Sequence, residues 1–190
     1  MLVPVKAFGE AKRRLSSALA PADRVALSRR LAAGVVAAAS PLPVAVVCDD
    51  REVAAWARAL AALVIWEPGR GLNGAVAEGV AHLGARGLGT VVVAHGDLAR
   101  PEGLTALLDG HPEGGVTLVP DGPDDGTNVA IVPAGAGFRF SYGPGSFRRH
   151  LDEAARAGLA LRVVRDRDLS VDIDLPSDLP LAASTKPGAG

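Results

Sequence analysis

The sequence predicts one α/β domain, a mixed and mostly parallel sheet in a three-layer arrangement with helices on both faces. Three observations lead there. From Leu2 to Pro120, short apolar runs alternate with helical stretches, the pattern of right-handed βαβ units. The runs "PVAVVC" and "TVVVA" are continuously apolar, as strands covered on both sides are. Beyond Pro120 the pattern becomes strand-rich and reads as antiparallel additions to the same sheet. A length of 190 residues gives one domain a substantial core and is marginal for two.

Taken in order, Leu2–Val5 is the first strand, followed by a polar loop holding Lys6, Lys12, Arg13 and Arg14. Pro21 opens a helix with Val25, Leu27, Leu31 and Val35 on one stripe. Pro43–Cys48 is a buried-type strand ending before Asp49 and Asp50, Glu52–Ala61 is helical, and Leu63–Trp66 is a strand. "GRGLNGA" (Gly69–Ala75) is a glycine-rich loop entering a helix. Thr90–Asp97, "TVVVAHGD", is the clearest strand and ends on an acid. A short helix near Glu102–Asp109 leads to the strand Val116–Pro120. After the turn-rich "DGPDDG" come the strand Thr127–Val132 and a second short strand at Phe138–Phe140.

"FSYGPGSFRRHLDE" (Phe140–Glu153) reads as a turn feeding a helix, with Ser146 at the N-cap. Arg148, Arg149 and His150 then occupy the first turn, where each cation costs roughly 0.3–1 kcal/mol against the helix dipole. Leu159–Val164 and Ser170–Ile173 read as strands and Leu175–Leu181 as a last helix. The domain spans residues 1–182, and 183–190 form a disordered tail.

A formal charge of −1 argues against bulk affinity for nucleic acid or an anionic membrane. Cys48 is the only cysteine, so no internal disulfide or cysteine metal cluster exists, which suits a reducing, cytoplasmic setting. "MLVPVKAFGEAKRRL" lacks the apolar core of a signal peptide, and no apolar run approaches the roughly 20 residues of a membrane span.

In such sheets ligands bind at the carboxyl ends of the strands, where Lys6, Asp49, Asp97 and the loop before Leu72 fall. Four cations between Lys6 and Arg14 make either a polyphosphate cradle or a solvated basic loop. Asp97 is either a Mg²⁺ ligand or a helix cap. Asp172 and Asp174, two apart in a strand, share one face and invite a cation, or else end a strand with Asp174 capping the helix that Pro176 starts. Together with Asp97 they suit metal-assisted phosphoryl transfer. The glycines near Asn73 would let a nucleotide approach backbone N–H groups and let Asn73 read a base edge, although no G-x-G-x-x-G follows the first strand. The four histidines lack metal-ligand spacing, Cys48 reads as core, and no G-x-S-x-G elbow exists.

"VPVKAFGEAKRRLS", "GLNGAV", "GDLA", "DGTNVAIV", "FSYGPGSFRRHLDEA" and "DIDLPSDL", in that order, resemble the 2-phospho-L-lactate guanylyltransferase family, whose bacterial members use phosphoenolpyruvate. The likeness runs from Val3 to about Leu179. It implies a nucleotidyltransferase fold of the GT-A, Rossmann-like type. It also implies transfer of GMP from GTP to a phosphorylated three-carbon acid, with pyrophosphate released, in coenzyme F-420 biosynthesis.

Carried over, it makes Asp97 and Asp172 the Mg²⁺ acids with Asp174 as helper, and Asp97, Asp172 and Lys12 the catalytic set. Lys12 and Arg13 fall to the triphosphate and Gly71, Asn73 and Gly74 to the guanine, while Lys6 joins the nucleotide-binding set from its place at the strand edge. Thr127, Gly143 and Ser146 fall to the acceptor, with Arg148 beside them. The partners implied are small molecules, not nucleic acid or membrane, and a homodimer is compatible with this reading. The chain departs from the pattern at Ala99, where the family has proline, and lacks the Gly-Gly loop of related sugar and molybdopterin nucleotidyltransferases. A glycosyltransferase of the same superfold, for which "DID" imitates a D-x-D motif, and a non-catalytic nucleotide-binding module are the competing expectations.

Overall fold

The computed structural model describes residues 1–182. The elements are β1 (Leu2–Pro4), α1 (Pro21–Ala38), β2 (Ala45–Cys48), α2 (Arg51–Ala59), β3 (Leu63–Trp66), α3 (Gly71–Gly84), β4 (Thr90–Ala94), β5 (Val116–Pro120), β6 (Thr127–Pro133), α4 (Ser146–Arg156), β7 (Leu161–Val163) and α5 (Leu179–Ala182). The strands form one sheet in the order β3-β2-β1-β4-β6-β5-β7. The expected tail at 183–190 lies outside the described residues. No helix among the described residues is long and apolar enough to cross a membrane.

The alternation of side chains along each strand builds two cores. Val3, Val46, Cys48, Val92, Ala94, Val129 and Ile131 face α1 and α2 on one side. Leu2, Ala45, Val47, Val91, Val93, Ala130 and Val132 face α3 and α4 on the other. Continuous apolar runs are therefore what this sheet requires, because both of its faces are covered.

Chain order fixes where a ligand can sit. The chain runs outward from β1 through β2 to β3, then returns to place β4 on the far side of β1. The crevice opens where the strand order reverses, between the carboxyl ends of β1 and β4. Lys6 follows β1, and Asp97 follows β4.

Several expectations need correction. Only β6 runs against the others; β5 and β7 pair parallel to one another and share the direction of β4. Phe138–Phe140 is not a strand, although Phe138 and Phe140 are buried on the same core as a strand's alternate residues would be. Side chains take the place of a pairing strand there. Arg139 N–H donates to Glu153, Ser141 N–H to the His150 ring, and Tyr142 N–H to Asn73. Residues 170–173 make one antiparallel bridge, Leu98 to Asp172, and no strand. The helix expected at Glu102–Asp109 is a 3₁₀ turn, Thr105–Leu108, and the last helix is split into a 3₁₀ turn at Pro176–Asp178 and the short α5. α3 already begins at Gly71, so the glycine-rich stretch is largely its first turn. Ser146 is the first residue of α4; the N-cap is Gly145, whose φ of 72° lies in the left-handed region that glycine adopts without strain.

Candidate active site

Three acids from two distant segments converge at the crevice. The segments zip together through Ala99 N–H to Val171 O (2.9 Å) and Ile173 N–H to Asp97 O (3.4 Å). This brings carboxylate oxygens of Asp97, Asp172 and Asp174 within 4.8 Å of one another. Lys12 closes the cluster, its Nζ donating to Asp97 Oδ2 at 2.7 Å and Asp174 Oδ1 at 2.9 Å. Its side chain is only 5% exposed, and its φ of 56° places a non-glycine residue in the left-handed region. That conformation is strained by roughly 1–2 kcal/mol and persists because the two ion pairs hold it. An open cleft of about 280 Å³ lies alongside, lined among others by Lys6, Lys12, Leu72, His95, Asp97 and Asp174.

The electrostatics are those of a cation site short of positive charge. Burial works against ionisation of Asp97, yet the Lys12 charge outweighs it and holds the carboxyl below the usual range. Burial likewise opposes the Lys12 charge, and Asp97 and Asp174 overcome it, holding its ammonium above the ordinary lysine value. Asp172 makes no ion pair among the described residues, and the Lys12 charge offsets little of what acts on it. Burial, then the charges of Asp97 and Asp174, push its carboxyl up to about 6. A hard divalent cation fits this donor set of all-oxygen acids, where an ammonium already stands in for part of the missing charge.

The acceptor residues expected from sequence gather next to this cluster, around the start of α4. Asn128 O accepts the His95 N–H (3.1 Å), so Thr127 and Asn128 begin β6 beside the end of β4. Thr127 and Ser146 are both buried. Gly143 has a φ of 115°, and its carbonyl accepts the Ser146 N–H at 3.0 Å. Asp125 takes the first free donors of α4: its side chain accepts from Gly145 N–H (3.0 Å) and its carbonyl from Phe147 N–H (3.0 Å).

The two first-turn arginines separate. Arg148, expected beside the acceptor, is 80% exposed and pairs with Asp152 at i+4. Arg149 folds back on the turn and donates to the carbonyls of Ser141 (2.7 Å) and Pro144 (2.7 Å). Its charge is spent on backbone oxygens, which relieves the conflict with the helix dipole.

On the nucleotide side, Lys6 and Lys12 line the cleft, whereas Arg13 is exposed and makes no ion pair among the described residues. Gly71, Asn73 and Gly74 lie in the first turn of α3. Both ends of the Asn73 carboxamide engage Tyr142: Oδ1 accepts its N–H at 2.6 Å and Nδ2 donates to its carbonyl at 3.5 Å. Asn73 thus joins the two halves of the site, a role its sequence context did not signal. Sequence reasoning also passed over His95, Tyr142 and His150, whose rings pack together: His95 to Tyr142 at 4.7 Å and Tyr142 to His150 at 5.0 Å. Only the aromatic alternation of "FRFSY" hinted at this buried seam.

Two titrations oppose each other across this site. Folded Asp172 holds its proton up to about pH 6 against about 3.9 unfolded, so stability falls as pH rises through that window. His150 is pushed down to about 4, chiefly by burial, against about 6.5 unfolded, so stability falls as pH drops from 6.5 to 4. His95, depressed by burial, adds to the second slope. Asp172→Asn should unmask it. The urea midpoint of the variant falls more steeply from pH 6.5 to 4 than that of the wild type, in which Asp172 offsets part of the histidine slope; parallel profiles would refute the opposition.

The whole described chain matches known proteins. A family model described as "Guanylyl transferase CofC like" matches residues 1–182. A phosphoenolpyruvate guanylyltransferase of Sphaerobacter thermophilus is 35% identical over 192 residues, covering 98% of this chain and 93% of its own. One from Rubrobacter xylanophilus is 36% identical over 184 residues, covering 94% and 90%. Among solved structures, a Desulfovibrio desulfuricans G20 protein described as a nucleotide-diphospho-sugar transferase superposes with a TM-score of 0.78 at 17% identity, covering 97% of this chain and 85% of its own. At that identity the likeness shows the fold alone.

Proposed function

This chain belongs to the CofC-like guanylyl transferase family, and from that premise we propose that it transfers GMP from GTP to a phosphorylated three-carbon acid and releases pyrophosphate, in coenzyme F-420 biosynthesis. Phosphoenolpyruvate is the acceptor favoured, because the relatives matched over nearly their full length bear that name. The observation that carries the reading is the Lys12–Asp97–Asp172–Asp174 cluster at the sheet's reversal point.

The acceptor phosphate is already largely anionic at neutral pH, so attack on the α-phosphorus of GTP needs no strong base. Catalysis is then positioning and charge neutralisation. Lys6 and Lys12 neutralise the triphosphate from the β1 side of the cleft, with Arg13 reaching it from the exposed loop. Thr127, the Gly143 backbone and Ser146 orient the acceptor. Asp97, Asp172 and Asp174 would hold a divalent cation, which we take to be Mg²⁺, and bound there it would supply Lewis-acid stabilisation of charge on the phosphates.

The test is direct. With GTP and Mg²⁺, each of phosphoenolpyruvate, 2-phospho-L-lactate and 3-phosphoglycerate is supplied and pyrophosphate is measured. Acid-dependent pyrophosphate release, fastest with phosphoenolpyruvate, is the expected outcome. Release of a nucleoside diphosphate from a nucleotide sugar supplied in place of GTP would instead indicate a glycosyltransferase, and GTP binding without turnover a non-catalytic module.

A further inference from the structure

His150 is fully buried on α4 and has both ring nitrogens engaged. The Ser141 backbone N–H points at Nε2 from 2.9 Å. A backbone N–H only donates, so Nε2 carries the lone pair and the ring hydrogen sits on Nδ1. Nδ1 lies 2.9 Å from Thr127 Oγ1 and therefore donates to it. The direction of this chain of bonds, Ser141 N–H to His150 to Thr127, is fixed by its first member.

The chain ends on a hydroxyl whose own hydrogen has no acceptor among the described residues. Thr127 begins β6 at the carboxyl edge of the sheet, and its neighbour Asn128 receives the His95 N–H at the end of β4. We propose that His150 is a positioning residue for the acceptor: it holds Thr127 as a hydrogen-bond donor towards an anionic oxygen of a phosphorylated carboxylic acid. The same ring ties that donor to the turn carrying Gly143 and Ser146, so the parts of the acceptor site are set in one register. This rests on the acceptor role of Thr127 in the function proposed above.

Burial holds the ring neutral through the physiological range, so the bond direction does not reverse with a pH change there. A protonated ring would donate from both nitrogens and oppose the Ser141 N–H.

Two near-isosteres separate the two bonds of the ring. Asparagine places an amide nitrogen near the Nδ1 position and can still donate to Thr127. Glutamine reaches the Nε2 position and can still accept from Ser141, but leaves Thr127 without its donor. Pyrophosphate release with phosphoenolpyruvate and GTP gives both Michaelis constants for the wild type, His150→Asn and His150→Gln. The acceptor KM of His150→Gln should exceed that of His150→Asn by about tenfold, the size of one hydrogen bond to a charged group, while GTP KM agrees within about twofold. Equal acceptor KM values overturn the proposal, since a purely structural brace predicts similar losses from either bond. Should neither variant fold, Thr127→Val against Thr127→Ser reads the same donor, and an acceptor KM that is the same in both overturns it. A wild type that turns over no phosphorylated three-carbon acid overturns the underlying function instead, and the role of His150 with it.

Discussion

Asp97→Asn lowers turnover by about three orders of magnitude, equivalent to roughly 4 kcal/mol of lost transition-state stabilisation, and leaves the fold in place. Asparagine matches the shape of aspartate, and the backbone carbonyl that accepts Ile173 N–H remains. Lys12 keeps its second partner, Asp174, at 2.9 Å. What disappears is one full negative charge from the oxygen cluster that would hold a hard cation. Melting should therefore move by no more than about 5 °C, given roughly 2–4 °C per kcal/mol in a chain of this size. Stabilisation by added Mg²⁺ should shrink in parallel, a readout independent of activity. Near-full Mg²⁺-dependent turnover in the variant would remove Asp97 from the metal site and undo the assignment built on it.

Asp97 was legible in the sequence because a strand that apolar, ending on an acid, can only deliver that acid to the ligand edge of a parallel sheet. Asp172 and Asp174 were legible as a pair two residues apart, though not as part of one zipper with Leu98 and Ala99. Lys12 entered their set only through the family resemblance, and its direct ion pairs were not legible, since they join residues 85 and 162 positions apart and depend on a left-handed lysine that no propensity favours. The turn before α4 misled for a different reason. Its backbone donors are met by Glu153, His150 and Asn73, so a segment patterned like a strand needs no neighbouring strand. Local pattern reports which face of a chain is apolar; it does not report which side chain will replace a missing ladder. The glycines at Gly71 and Gly74 likewise read as loop because glycine is poor in helix interiors, yet tertiary packing carries α3 through them.

Lys12 is the residue on which binding and stability pull in opposite directions. In the unliganded protein its ammonium neutralises Asp97 and Asp174. In the proposed reaction the same charge would serve the triphosphate, where loss of a cation should reduce turnover at least 100-fold. Lys12→Met keeps most of the side-chain stem and removes only the charge. Three acids whose oxygens lie within 4.8 Å then face one another without a counterion. Breaking a fully buried pair costs about 3–5 kcal/mol; Asp174 is 45% exposed, so about 2–3 kcal/mol is expected here. The metal-free variant should melt roughly 5–10 °C lower at pH 7. Added Mg²⁺ should recover more of that loss than it adds to the wild type, because the cation no longer competes with a resident ammonium for the same oxygens. Differential scanning calorimetry with and without Mg²⁺ reads both effects in one pair of experiments. A variant that Mg²⁺ stabilises less than the wild type would mean that the ammonium helps to hold the metal rather than standing in its place.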